Sequence, residues 1–332
     1  MLIFGIETSC DETAAALVRD GREVVANVVA SQIDTHARYG GVVPEVAARE
    51  HLEIINVVIE ETFKKAGISP NEVDAFCSTA GPGLVGCLLV GLNAAKTMSL
   101  VYNKPYIPVN HLNAHVCANF LGTSLEPPFT CLLVSGGHTQ IINASAYDKL
   151  EIVGSTIDDA TGEVYDKVAR LLGLPYPGGI RLDKLAQSGN PKAFKLPEAK
   201  VGEDEFSFSG LKTAVLRLVQ GLKAEGHDVE NLESPLVADI CASFQETITS
   251  TLLNKTVNFA KKNGSKTIVL AGGVAANSRL REKLFALKTD GYEVFAPQMK
   301  YCTDNAAMVA SAAYFNPIKT ENPLEFEVFS RG

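Results

Sequence analysis

Tryptophan is missing from this chain of 332 residues, and so is any excess of positive charge. The first absence excludes nothing by itself. The second does. A formal net charge of -8 rules out a broadly basic nucleic-acid-binding surface and leaves room only for a local patch, because binding follows the local field and not the sum. Paired cysteines are missing too. Cys10, Cys77, Cys87, Cys117, Cys131, Cys241 and Cys302 are scattered, odd in number and without a C-x-x-C pair. That excludes a secreted disulfide scaffold and points to a reducing compartment, with most thiols buried as small apolar groups. The opening MLIFGIETSCDETAAALV has no basic leader and meets an acid by Glu7, so neither a signal nor a transit peptide is expected. The longest apolar runs are broken by glycine and polar residues, so no transmembrane span is expected either. The expectation is a cytoplasmic protein with no membrane partner.

What is present is an ordinary soluble balance, 46% hydrophobic and 20% charged, in a chain long enough for two cores. Three strand-like runs open it: Leu2–Thr8, Thr13–Arg19 and Glu23–Ser31, with an Asp20-Gly21 turn between the last two. A helix over Pro44–Ala66, a strand over Val73–Thr79, a helix over Leu84–Leu100 and a strand over Tyr106–Val109 follow. The order then repeats. After a helix around His111–Leu121 come strands Thr130–Ser135, His138–Ala144 and Leu150–Ser155. Helices near Gly162–Leu172, Leu211–Leu222 and Leu236–Lys262 are next, then strand Lys266–Ala271, helix Asn277–Leu287, strand Tyr292–Ala296 and helix Thr303–Tyr314. A three-stranded meander followed by alternating helices and strands, written twice, predicts an α/β fold of two lobes. Each lobe is expected to be a mixed β-sheet flanked by helices, with a cleft between them. The expected lobes are residues 1–110, joined by the C-terminal helix region 303–332, and residues 111–302. The polar stretch Gln187–Phe206 reads as an insertion or mobile surface segment.

Three glycine turns follow strands: Gly81-Pro82-Gly83, Gly136-Gly137 and Gly272-Gly273. None is a G-x-G-x-x-G or a GxxxxGK[ST] loop, which disfavours a Rossmann dehydrogenase and a Walker-type ATPase. In Ser135-Gly136-Gly137-His138 the glycines let backbone N–H groups meet an anion without a Cβ in the way. In the third turn, Gly-Gly at a helix mouth admits an adenosine or a phosphate, and Asn277 is placed to cap the helix or bond the ligand.

His111-Leu112-Asn113-Ala114-His115 sets two imidazoles one helical turn apart, a spacing that suits a divalent metal. Leu112 stands where the metalloprotease HExxH motif has its glutamate, so that motif is absent. A third ligand is needed, and Asp304 in Thr303-Asp304-Asn305 is the candidate. Two imidazoles and a carboxylate suit iron, zinc or manganese alike. His36 and His51 flank Gly40-Gly41-Val42-Val43-Pro44-Glu45 and are candidates to line a site, while His227 sits in a polar stretch.

These residues resemble one family, the universal tRNA N6-threonylcarbamoyladenosine synthases in their bacterial form (TsaD), once labelled O-sialoglycoprotein endopeptidases. The resemblance runs through GIETSCDETAAALV, SQIDTHARYGGVVPEVAAREH, GPGLVGCLLVG, NHLNAHVCA, VSGGHTQ, DDATGEVYDKVARLLGLPYPGG, FSFSGLKTAV, GGVAANSRLR and CTDNAAMVA, in order along almost the whole chain. It implies an actin-like (ASKHA, ribonuclease H-like) fold. It implies that His111, His115 and Asp304 hold one divalent metal ion per subunit, Fe2+ ahead of Zn2+. It implies that Val134, Ser135, Gly136, Gly137 and His138 contact threonylcarbamoyl-AMP, and that Asp166, Gly179, Asp183 and Asn277 contact its nucleoside and neighbouring groups. The implied partners are tRNA, a catalytically silent paralogue (TsaB) and a small P-loop ATPase (TsaE).

The implied reaction moves a threonylcarbamoyl group from its AMP anhydride to the N6 amine of the adenosine 3′ of the anticodon (position 37), in tRNAs reading codons that start with adenine. The donor is already activated, and no convincing nucleophile triad is present. The amine lone pair is delocalised, so positioning and a polarised electrophile are needed. Asp11 and Glu12, at the turn between the first two strands, are the candidates for a base. Lys192, Lys195, Lys200, Lys212 and Arg217 are candidates for a phosphate-binding patch. The alternatives are a metal-dependent glycoprotease, an actin-like ATPase or kinase, and a non-catalytic nucleotide-binding scaffold.

Overall fold

The computed structural model describes Met1–Arg331. It contains two compact units. The first is built on a five-stranded sheet of β1 (Leu2–Glu7), β2 (Glu12–Arg19), β3 (Glu23–Ser31), β4 (Ala75–Gly81) and β5 (Tyr106–Asn110), in the order β3-β2-β1-β4-β5. The β1–β2 and β2–β3 pairs are antiparallel, and β1–β4 and β4–β5 are parallel. Its helices are α1 (Ile33–Ala37), α2 (Pro44–Ala66), α3 (Val85–Val101), α4 (His111–Cys117) and a last helix, Ala306–Phe315. Strand β1 is central and buried along nearly its whole length, which is why it reads as a continuous apolar run rather than an alternation.

The second unit repeats that plan. Its sheet holds β6 (Phe129–Val134), β7 (Thr139–Ala146), β8 (Lys149–Ser155), β9 (Thr267–Ala271) and β10 (Glu293–Phe295), in the order β10-β9-β6-β7-β8. Its helices are α5 (Thr161–Leu171), α6 (Gly178–Ala186), α7 (Ser209–Ala224), α8 (Pro235–Lys262) and α9 (Ser278–Ala286). The last helix of the chain is then α10 (Ala306–Phe315). Strand β6 pairs antiparallel with β7 and parallel with β9, as β1 does with β2 and β4. The two mixed sheets expected from the repeated element order are therefore present.

The boundary expected after residue 110 falls instead after Pro127, and the first unit also takes in Ser145–Leu150 and the described chain from Pro297 onward. The reason is packing. Helix α10 lies across β1 so closely that a Cβ on Gly5 would stand 2.9 Å from the Ala306 carbonyl oxygen and 3.1 Å from Ala310 Cβ. Helix α4 packs on α10 and so stays with the first sheet. On the opposite face of β1, Phe4 stacks on Phe63 of α2 at 4.6 Å and meets Phe76 of β4 edge-on at 5.8 Å. Two short helices, α1 and α6, were not read from the sequence, and the last helix begins at Ala306, so Asp304 sits in the turn before it. The stretch Gln187–Phe206 is not free. Asn190 N–H donates to Asp239 Oδ1 at 2.7 Å and Phe194 N–H to Ser243 Oγ at 3.1 Å, tying it along α8.

Val85–Tyr102 is long and apolar enough to cross a membrane, with mean hydropathy 1.4. In the fold α3 turns Cys87, Leu88, Gly91, Leu92, Ala95 and Ser99 inward, and it packs on β4 and α2. Its opposite side leaves Val85, Leu89, Leu100 and Val101 exposed.

Gly91 makes a test of this packing. Thr8 Oγ1 donates to the Cys87 carbonyl at 2.8 Å and accepts from Gly91 N–H at 3.1 Å, so the residue just after β1 is joined to α3 through one hydroxyl. A Cβ on Gly91 would lie 2.5 Å from that hydroxyl oxygen. Within an ordinary helix Gly→Ala stabilises by about 1 kcal/mol. Here the sign reverses: Gly91→Ala is expected to lower the unfolding free energy by about 1–3 kcal/mol through overpacking, measured by denaturant titration.

Candidate functional site

In the first unit the backbone brings acids and imidazoles to one place. Asn110 caps α4: its Oδ1 accepts from the N–H groups of Leu112 at 2.9 Å and Asn113 at 3.1 Å. That fixes His111 as the first helical residue and His115 one turn later, with ring centroids 4.7 Å apart. Asn305 does the same for α10, accepting from Met308 N–H at 3.0 Å while its amide donates to the Thr303 carbonyl at 2.8 Å. The turn carrying Asp304 is thereby locked.

Asp304 Oδ1 lies 3.2 Å from His115 Nε2 and 3.7 Å from His111 Nε2, and one donor atom from each of the three residues lies within 4.8 Å of the others. Ligand atoms of a tetrahedral site with bonds near 2.0–2.1 Å stand about 3.4 Å apart, so this set needs only a small contraction to hold a cation. The donor chemistry fits as well. His111 Nδ1 lies 3.3 Å from Glu7 Oε2 and 3.2 Å from Ser9 Oγ, which leaves Nε2 to face Asp304. A carboxylate behind a ligating imidazole sets its tautomer and raises its basicity. Glu7 is itself fully buried and accepts from Ser9 N–H and Thr79 Oγ1. His115 has no such support, for its Nδ1 is buried without a partner among the described residues.

The electrostatics follow from this crowding. Burial opposes a charged ring at His111, but Asp304 and Glu7 outweigh it and raise its pKa to about 9. Burial pushes the Asp304 carboxyl up, yet the fields of His111 and His115 hold it at about 2. Glu12, at the head of β2, is driven up to about 10, first by burial and then by the negative charges of Asp304, Asp11 and Glu7 and a hydrogen bond with Asp11. Asp11 and Glu12 therefore belong to the same charged neighbourhood as Asp304. Burial and these charges together favour the protonated form of Glu12.

In the second unit Ser135 N–H donates to the His138 carbonyl at 2.8 Å, and His138 N–H donates to Ser135 Oγ at 3.1 Å. The N–H groups of Gly136 and Gly137 have no acceptor among the described residues, and a Cβ on either would meet open space. The helix after the meander presses on this turn: Gly162 N–H donates to the Ser135 carbonyl at 3.1 Å, and a Cβ there would lie 2.8 Å from Gly136 Cα. Val134 ends β6, and its carbonyl lies against Gly272, whose φ of 89° and missing Cβ set the third glycine turn beside the second. The Gly81-Pro82-Gly83 turn behaves differently. Ser9 packs against Gly83 and Phe329 against Gly81, so the chain itself fills it.

The nucleoside candidates form two bonded groups. Asp166 Oδ1 accepts from Gly179 N–H at 3.0 Å, at the start of α6. Asp183 accepts from Ser278 Oγ at 2.7 Å and from Gln245 Nε2 at 2.9 Å, while Asn277 Nδ2 donates to Gln245 Oε1 at 3.0 Å and Asn277 Oδ1 caps α9 through Leu280 N–H at 2.9 Å. Gln245 is the bridge, and sequence reasoning missed it, because a lone Gln inside a long helix carries no pattern. A cavity of about 240 Å³ lined by Gln245, Ser278, Arg279 and Gln187 adjoins the group. Of the expected basic patch, Lys212 is paired with Asp159 at 2.8 Å, while Lys192, Lys195, Lys200 and Arg217 are exposed.

His36 and His51 do not line an open site. Both are fully buried in a polar network behind the Asp11–Glu12 turn.

A family model described as TsaD, tRNA N6-adenosine threonylcarbamoyltransferase, matches residues 23–311. Proteins named tRNA N6-adenosine threonylcarbamoyltransferase from Caldicellulosiruptor bescii and a Picosynechococcus species are 49% and 51% identical to this chain. The first alignment covers 95% of this chain and 93% of the relative, the second 94% and 88%. Among solved structures, HypF of T. kodakarensis superposes with a TM-score of 0.64 at 17% identity, over 94% of this chain and 47% of that one. Component A of the (R)-2-hydroxyglutaryl-CoA dehydratase of Acidaminococcus fermentans superposes with 0.53 at 17% identity, over 95% and 98%. These likenesses show the fold: a two-lobed, actin-like α/β architecture.

Proposed function

As the chain belongs to the family of tRNA N6-adenosine threonylcarbamoyltransferases, we propose that it transfers the threonylcarbamoyl group of threonylcarbamoyl-AMP to the N6 amine of the adenosine 3′ of the anticodon, giving t6A. The observation that carries this reading is that His111, His115 and Asp304, far apart in the chain, set their donor atoms within 4.8 Å of one another. A divalent cation held there, Fe2+ ahead of Zn2+, supplies Lewis-acid stabilisation to an oxygen of the donor.

The other roles fall to the chain's own groups. The open N–H groups of Gly136 and Gly137, with Val134, Ser135 and His138 around them, support negative charge on the donor. Asp166 and Gly179, and Asp183 with Asn277, hold the nucleoside. The amine nitrogen attacks the carbamoyl carbon, the bond to the AMP oxygen breaks, and the amine proton leaves to the carboxylate of Asp11 or Glu12. The exposed apolar side of α3, Val85, Leu89, Leu100 and Val101, supports docking of a silent paralogue of the same fold (TsaB). A small P-loop ATPase (TsaE) and tRNA complete the set, and the site of action is the cytoplasm.

The reading is tested by mass spectrometry of tRNA nucleosides after incubation with synthetic threonylcarbamoyl-adenylate and the partner proteins. A new t6A peak that depends on this chain is the expected result. Unmodified tRNA beside cleaved glycoprotein would favour a protease instead.

A further inference from the structure

We propose that His51 is a positioning residue that clasps both ends of the acidic turn and holds Asp11 and Glu12 in working geometry. It rests on the reading that this turn serves the transfer reaction. His51 lies in α2 and is fully buried. Its Nε2 stands 3.0 Å from the carbonyl oxygen of Cys10, the residue just before Asp11. A carbonyl only accepts, so Nε2 carries the hydrogen. Nδ1 of the neutral ring is then an acceptor, and it receives Thr13 Oγ1 at 2.7 Å, from the residue just after Glu12. One imidazole thus grips the chain on either side of the two carboxylates.

The grip is braced from behind. Gln32 N–H donates to the Asp11 carbonyl at 3.0 Å, and Gln32 Nε2 donates to His51 Nδ1 at 3.3 Å. Gln32 Oε1 accepts from His36 Nε2 at 3.0 Å, and His36 Nδ1 accepts from Val43 N–H at 3.3 Å. Each ring nitrogen of His36 and His51 has a partner, with the one lone pair of His51 Nδ1 shared between Thr13 Oγ1 and Gln32 Nε2, so both tautomers are set. Burial lowers the His51 pKa against the opposing pull of the Cys10 carbonyl, which keeps the ring neutral and the pattern single. A fully satisfied buried network of this kind is rigid and specifies one arrangement. The turn it holds must place a proton acceptor to a fraction of an ångström.

The test is steady-state transfer to tRNA, with the partner proteins present, by His51→Asn, His51→Gln, Thr13→Val and the double variant Asp11→Asn, Glu12→Gln. Asn cannot reach the Cys10 carbonyl, whereas Gln keeps a donor near Nε2. The expected result is a kcat loss on the order of 100-fold for His51→Asn. KM values for adenylate and tRNA and metal content stay at wild-type levels, the thermal midpoint falls only by the few degrees that an unpaired buried carbonyl costs, and His51→Gln recovers most of the rate. Thr13→Val should show the same selective fall in kcat, and it decides the matter if His51→Asn does not fold. Wild-type turnover in His51→Asn beside an inactive Asp11→Asn, Glu12→Gln double variant overturns the inference. So does a loss shared equally by kcat, metal content and stability in both clasp variants. Wild-type turnover in the Asp11→Asn, Glu12→Gln double variant instead overturns the underlying reading of the turn, whatever the His51 variants do.

Discussion

His115→Ala leaves the protein folded, empties it of metal and stops tRNA modification. The imidazole is buried at the centre of the cluster, 3.2 Å from the Asp304 carboxylate. Removing it takes one of three ligands and leaves Asp304 facing His111 alone. Changes even to groups behind a ligand cost about 10–100-fold in affinity or activity, so loss of a ligand is expected to cost on the order of 100-fold or more in both. The fold survives because α4 is held by its Asn110 cap and its packing on α10, neither of which uses the ring. Metal analysis of the purified variant should fall from about one ion per chain to near none, and the t6A peak should vanish with it. A variant that keeps full modification without metal would end the metal-assisted reading.

Metal uptake near neutral pH expels protons, and affinity climbs steeply with pH. The sign follows from two groups. His111 is raised to about 9, so below that pH its ring carries a proton that a cation must displace. Glu12 is raised to about 10 by burial and then by the charges of Asp304, Asp11 and Glu7; a divalent cation beside those charges cancels the repulsion and lets it ionise. Each proton released adds about tenfold in affinity per pH unit, so between about pH 6 and 8 the constant should rise by about 100-fold for one proton and 10,000-fold for two. Titration calorimetry in buffers of different ionisation enthalpy counts the protons. Glu12→Gln should lower the count by about one. A pH-independent affinity would mean that neither group is linked to the metal.

The sequence displays some parts of this site and conceals others, for physical reasons. The pair His111 and His115 was legible because helical periodicity alone sets them on one face. Asp304 was only a candidate: nothing local shows that α10 packs on β1, and the evidence for that closeness is the small side chains of Gly5, Ala306 and Ala310, which read as ordinary core. Glu7 escaped because a charged residue ending an apolar strand looks like the rim of a sheet, and its burial arises only when His111 and Thr79 close over it. His36 and His51 were candidates to line a site and instead stand buried behind the Asp11–Glu12 turn, since a sequence does not say which side of a turn a ring approaches. The glycine turns divide in the same way. Gly136 and Gly137 face open space, as a ligand seat needs, but Gly81 and Gly83 are occupied by the chain's own Phe329 and Ser9.

The order in which the ligands appear along the chain has a consequence for biosynthesis. A ribosome delivers both imidazoles long before the carboxylate that completes the set, and the helix that seats this carboxylate is also what fills the far side of the first sheet. A nascent chain paused short of Asp304 therefore has an uncovered sheet and two thirds of a chelate. Capture of an ion by all three ligands would therefore wait until the segment carrying Asp304 has been made and has packed on the first sheet.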